Sequence, residues 1–125
     1  MLYSILIYEA EARVADANAA EQARVMDSHH AFQTILKEQN KLLNVVRLMP
    51  TSTAVTRPKG APVIDGPFAE TKEQFVGFYM FEADDLDEAI ELSKHLPEHE
   101  KLEIRPVMFY EGVGGNGSST IINHN

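Results

Sequence analysis

Two short segments of this chain are apolar on both of their alternating sides. In Leu2–Tyr8, Tyr3, Ile5 and Ile7 point one way and Leu2, Leu6 and Tyr8 the other. In Phe75–Phe81, Phe75, Gly77, Tyr79 and Phe81 fall on one side and Val76, Phe78 and Met80 on the other. A period of two predicts strands, and apolar residues on both sides predict strands at the centre of a sheet. Gly77, alone without a side chain in its run, marks a close backbone approach or room for a neighbouring ring.

Elsewhere the period lengthens. Asn18 and Glu21 stand at capping-box spacing, and Val25, His29, Phe32 and Leu36 recur on one helical stripe that Ala31 and Ile35 widen. They predict a helix from about Ala19 to Gln39, closed by Asn40 in the left-handed conformation. Asp85 and Glu88 form a second capping box, and Leu86, Ala89, Ile90 and Ser93 a second stripe, ending near Leu96 before Pro97. Glu9–Ala17, acidic and alanine-rich, reads as a connection. Leu42–Arg57 reads as an extended stretch interrupted by Pro50. Pro58-Lys59-Gly60 is a turn and Ala61–Ile64 a short return. Leu102–Tyr110, with Pro106 inside it, is the last strand.

The order is βαββαβ, a ferredoxin-like α+β domain whose two helices lie on one face of an antiparallel sheet. That plan places the first and third strands at the centre and the second and fourth at the edges. Pro50 and Pro106 then fall on edges, where a missing donor is tolerated. Residues 1–111 form this domain. Residues 112–125, rich in Gly, Ser and Asn, read as a flexible tail in which Thr120-Ile121-Ile122 is held against the body or a partner subunit. Two helices cover one sheet face only, and the other would expose Leu, Ile, Phe and Met side chains. Such a patch predicts a homodimer that packs these open faces together about a two-fold axis.

Composition narrows the class further. A chain of 125 residues makes one domain, with no cysteine for disulfide or thiol chemistry. A formal net charge of -8, with no basic run, speaks against a nucleic-acid partner. The apolar N-terminal run is too short to span a bilayer and no basic segment precedes it, so a cytoplasmic protein with no membrane partner is expected.

The most specific text is Asp65-Gly66-Pro67-Phe68-Ala69-Glu70-Thr71-Lys72-Glu73-Gln74. Physically it is a turn, in which Gly66 takes a positive φ and Pro67 fixes the next one, followed by a charged segment. This stretch resembles the signature of the DGPF proteins, a branch of the YCII-related family. Met26-x-x-His29-x-x-Phe32 resembles that family's first helix, Asp85-Leu86-Asp87-Glu88-Ala89 the start of its second, and Glu103-Ile104-Arg105-Pro106-Val107 its last strand. The resemblance implies a dimeric α+β barrel. It also implies either of two roles: a small-molecule enzyme or binding protein, or a regulatory partner of an extracytoplasmic-function sigma factor.

His29 is the sharpest chemical candidate, because it stands on an apolar stripe where leucine would pack better. A buried imidazole needs partners for both ring nitrogens, and a carboxylate would orient it. The resemblance implies a His–Asp pair with His29 in the histidine position and leaves the choice of aspartate open. Asp65 is the first choice, as orienter to a His29 general acid or base. A core histidine satisfied by backbone or water, and an Asx-type turn at Asp65, are the plain alternatives. Arg47 and Arg57 suit an anionic ligand or surface ion pairs. Glu70 suits a ligand or a solvated turn of helix, and Tyr79 a cleft hydroxyl or aromatic core. No cofactor and no metal site is expected, since Pro97 breaks the helical spacing of His95 and His99. A dimer with no ligand at all is a third reading.

Overall fold

The computed structural model describes residues 1–114 and 117–122, with side chains through Gly112. A four-stranded antiparallel sheet is built from β1 (Leu2–Glu9), β2 (Leu42–Arg47), β5 (Gln74–Glu82) and β6 (Lys101–Pro106), in the order β2-β5-β1-β6. Helices α2 (Ala19–Glu38) and α3 (Leu86–Ser93) both contribute to one apolar core with it. This is the ferredoxin-like plan, with the two doubly apolar strands at the centre. Pro106 is the last residue of edge strand β6. Pro50 lies beyond the end of β2, at the start of a 3-10 turn over Thr51–Thr53.

The core forms on the face that carries Tyr3, Ile5, Ile7, Tyr79 and Phe81. Phe32 and Leu36 of α2, Ala89 of α3 and Leu96 close over it. Phe32 is fully buried and meets Tyr79 and Phe81 edge-on, at ring-centroid distances of 4.8 and 5.8 Å. Burying each such side chain contributes roughly 1.5–3 kcal/mol, so this layer anchors α2 to the sheet. Both helix starts follow their caps. Asn18 accepts a hydrogen bond from the Glu21 backbone N–H at 2.9 Å, and Asp85 accepts one from that of Glu88 at 2.8 Å. Asn40 has φ +55°, the left-handed residue expected there.

The structure departs from the sequence pattern at five places. Gly77 pairs with Ile7 but Phe75 pairs with Tyr8, so β5 carries one extra residue, a β-bulge. The bulge turns Phe75 away from the side of Tyr79 and Phe81 and stacks it on Phe78 and against Tyr8. Val76 instead packs against the core. Within the connection after β1 lies a further helix, α1 (Glu11–Asp16), held by a tertiary contact: Glu11 accepts a hydrogen bond from the Thr51 backbone N–H at 2.9 Å and another from the Thr51 hydroxyl. The long extended stretch shortens to β2, the 3-10 turn and a two-residue strand β3 (Val55–Thr56), paired with β4 (Ile64–Asp65). No helical turn forms around Glu70–Glu73. There the Gln74 side-chain amide donates to the Ala69 and Thr71 carbonyls instead.

The fifth departure is at the C-terminus. β6 ends at Pro106, and the chain restarts as β7 (Phe109–Gly114), which pairs antiparallel with β8 (Gly117–Ile122). Thr120, Ile121 and Ile122 are thus bonded through their backbones to Glu111, Tyr110 and Phe109. Residues 115–116 and 123–125 of the expected tail lie outside the described residues, as do the side chains of Thr120-Ile121-Ile122. Among the described residues no helix is long and apolar enough to cross a membrane.

Gly77 marks the close approach that its place in the pattern predicts. A Cβ there would sit 2.5 Å from the Val46 carbonyl oxygen and 3.3 Å from the Arg47 Cα, both on β2. Backbone cannot rotate away as a side chain can, so Gly77→Ala must push β2 outward. A loss of about 1–3 kcal/mol is expected, read as a lower midpoint in chemical denaturation, whereas wild-type stability in this variant would refute the close approach.

Candidate functional site

Where the N-terminal half of α2 rises from the sheet, a cavity of about 800 Å³ opens. Its floor is the sheet from Ile7 and Glu9 across Val76, Gly77 and Tyr79 to Val45 and Arg47. Its roof is α1 and the first turns of α2, and the loop Pro97–Glu100 closes one end. Gly77 leaves the floor low, and the β-bulge beside it brings Val76 onto the floor. A volume of this order suits a small organic molecule.

His29 projects from α2 into this cavity, its side chain 16% exposed. Both ring nitrogens are engaged. Nε2 lies 2.9 Å from Glu100 Oε2, and Nδ1 lies 2.6 Å from the Tyr79 hydroxyl. The Gln33 side-chain amide donates to that same hydroxyl at 3.0 Å. A carboxylate oxygen only accepts, so Nε2 carries a hydrogen, and in the neutral imidazole Nδ1 accepts the tyrosine's. Donors then run in one direction, from Gln33 to Tyr79 to His29 to Glu100. Burial raises the Tyr79 pKa above its ordinary value, the Gln33 hydrogen bond lowers it and the Glu100 charge raises it further, so the hydroxyl keeps the hydrogen this chain requires.

Glu100 is the acidic partner of His29, not Asp65. Asp65 sits on β4 with Val55 as its partner, is exposed, and does not line the cavity. The β3–β4 ribbon that carries it is a sheet of its own, separate from the one α2 covers. Of the other candidates, Tyr79 and Arg47 share the cavity with His29. Arg57 is exposed outside it. Glu70 lines a different and smaller hollow, of about 420 Å³, with Glu11, Thr51 and Pro67.

Two acidic residues of the site, Glu9 and Glu100, leave no clear signal in the sequence. Glu9 is the last residue of β1 and Glu100 immediately precedes β6, so the pairing of Tyr8 with Lys101 brings their backbones together. Both are buried, at 8% and 7% exposure. Glu9 Oε1 lies 2.9 Å from Nε2 of His99. A glutamate at the end of an apolar strand is a weak signal, and only the β6 register joins it to the Pro97–Glu100 loop.

Fold and site together define a ferredoxin-like α+β domain with a His–carboxylate pair at the wall of a pocket under its first long helix. A model of the YCII-related domain matches residues 1–110. The chain is also 40% identical over 118 residues, 89% of its own length and 95% of the relative's, to an uncharacterised protein of Rhizobium meliloti (strain 1021). This chain belongs to the YCII-related family.

The donor chain through Tyr79 is directly testable. In wild-type protein, ¹⁵N NMR of the imidazoles should show the His29 hydrogen on Nε2. Tyr79→Phe should leave Nδ1 and the Gln33 amide without that partner, destabilise the fold by about 1–3 kcal/mol, and move the His29 resonances while leaving those of exposed His30 in place.

Proposed function

We propose that the protein binds a small organic acid or carbonyl compound in the cavity under α2 and moves a proton on it. The observation that supports this is the Tyr79–His29–Glu100 chain, a hydroxyl, an imidazole and a buried carboxylate in hydrogen-bond succession along one wall of the cavity. A proton leaving the ligand reaches the Tyr79 oxygen as Tyr79 gives its own hydrogen to His29 Nδ1. The Glu100 carboxylate offsets the charge that forms on the ring. Arg47, lining the same cavity, supplies a cation for the ligand's acidic end.

The test is a binding screen of small carboxylic and keto acids, followed by NMR of deuterium exchange at the acidic C–H of whichever compound binds. His29→Ala should slow that exchange about 10²–10⁴-fold while the variant stays folded, and Arg47→Ala should weaken binding of carboxylates more than of neutral analogues. Exchange at the wild-type rate in His29→Ala would dispose of the proton-transfer role.

Both α2 and α3 close over one face of the sheet. The opposite face carries Leu6, Phe78 and Met80, half-buried within one chain, beside the exposed Phe75. We propose that a second copy covers it, forming a homodimer through the two open faces. Light scattering should give twice the 14.0 kDa of one chain. Phe78→Glu should shift that mass towards the monomer, and a monomeric wild type would refute the arrangement.

A further inference from the structure

We propose that Glu9, His99 and Glu100 form a binding site for a divalent transition-metal ion of the zinc or manganese type. A carboxylate oxygen of Glu9, an imidazole nitrogen of His99 and a carboxylate oxygen of Glu100 all lie within 4.8 Å of one another. Ligand atoms at the usual ~2.0–2.2 Å from such an ion stand about 3–3.5 Å apart, so modest side-chain rotations close the set around a cation.

Two further observations point to an ion rather than to an incidental cluster. Glu100 Oε1 is buried and, among the described residues, has no hydrogen-bond partner. A carboxylate oxygen in that position forfeits its hydration without return, at a cost that proteins usually avoid by pairing or metal ligation. The other oxygen, Oε2, is already fixed by His29 at 2.9 Å. Metal-bound carboxylates are characteristically held in this way, one oxygen on the ion and the other oriented by an outer hydrogen bond. Among the described residues, the side-chain hydrogen-bond partners of Glu9 and Glu100 are the imidazoles of His99 and His29. Two buried carboxylates with a single nitrogen suit zinc or manganese, whereas a calcium site would be all oxygen.

The three residues also line the end of the 800 Å³ cavity. Three protein ligands leave a coordination position open, and an ion there would present it to whatever the cavity holds. The metal site shares Glu100 with the proton-transfer reading but stands on its own residues. Failure of metal binding would leave the small-molecule proposal intact, and the reverse also holds.

Full-length protein stripped with EDTA should bind one zinc or manganese ion per chain in calorimetric titration with ZnCl₂ and MnCl₂. Glu9→Gln and His99→Ala should each lose most of that binding, and His29→Ala should weaken it about 10–100-fold through Glu100. His30→Ala, altering an exposed histidine outside the cluster, should bind as wild type. Because these acids are buried, imidazole NMR of the wild-type protein during zinc titration provides an independent reading. His99 should shift at one equivalent, ahead of exposed His30 and His95. No stoichiometric uptake, undiminished binding in the folded Glu9 and His99 variants, or first shifts at His30 or His95 would overturn the site.

Discussion

The antiparallel pairing of β1 with β5, broken by one extra residue opposite Ile7 and Tyr8, is the constraint on which the pocket depends. Before the bulge, Tyr3, Ile5 and Phe81 pack with Phe32 and Leu36 of α2 in the core, while Ile7 and Tyr79 belong to that core and also border the cavity. At the bulge the pleat shifts by one. Phe75 leaves the helix side and Val76 enters it, at the floor of the cavity. The glycine in the same place lets β2 approach to a distance at which a methyl group would collide with the Val46 carbonyl. The same strand pair is therefore core at one end and cavity floor at the other, under a single continuous helix.

Most of this architecture was legible in the residue pattern, because strands and helices leave periodic traces. Doubly apolar runs marked the central strands, and Asn18 and Asp85 marked where helices begin. The bulge was not legible, since an alternation count assumes an unbroken pleat and therefore put Phe75 on the wrong side. Helix α1 was missed for a related reason. What holds it is Glu11 against Thr51, a contact forty positions away in the chain, and no local pattern records that.

The candidate site shows the same division. His29 stood out because an imidazole on an apolar stripe demands partners, and it has two. Which carboxylate serves it is a matter of strand register. Asp65 precedes a central strand in the chain, but it sits on β4, whose ribbon forms a separate sheet. Glu100 reaches His29 from the end of the loop after α3, and Glu9 arrives beside it because Tyr8 pairs with Lys101. Helix α3 ends at Ser93, before Pro97 is reached, so His95 and His99 both lie beyond it. The loop that follows then delivers His99 to Glu9.

Edge position has a consequence for how long this chemistry survives fluctuation. Among the described residues β6 pairs on one side, with β1, and Glu100 is the residue before its first rung. Local openings can occur at free energies below that of global unfolding. Each such opening would carry Glu100 away from both Glu9 and His29 while the β1–β5 pair and the aromatic layer over it stayed closed. Opening of that edge alone would therefore part the two carboxylates with the aromatic layer still packed.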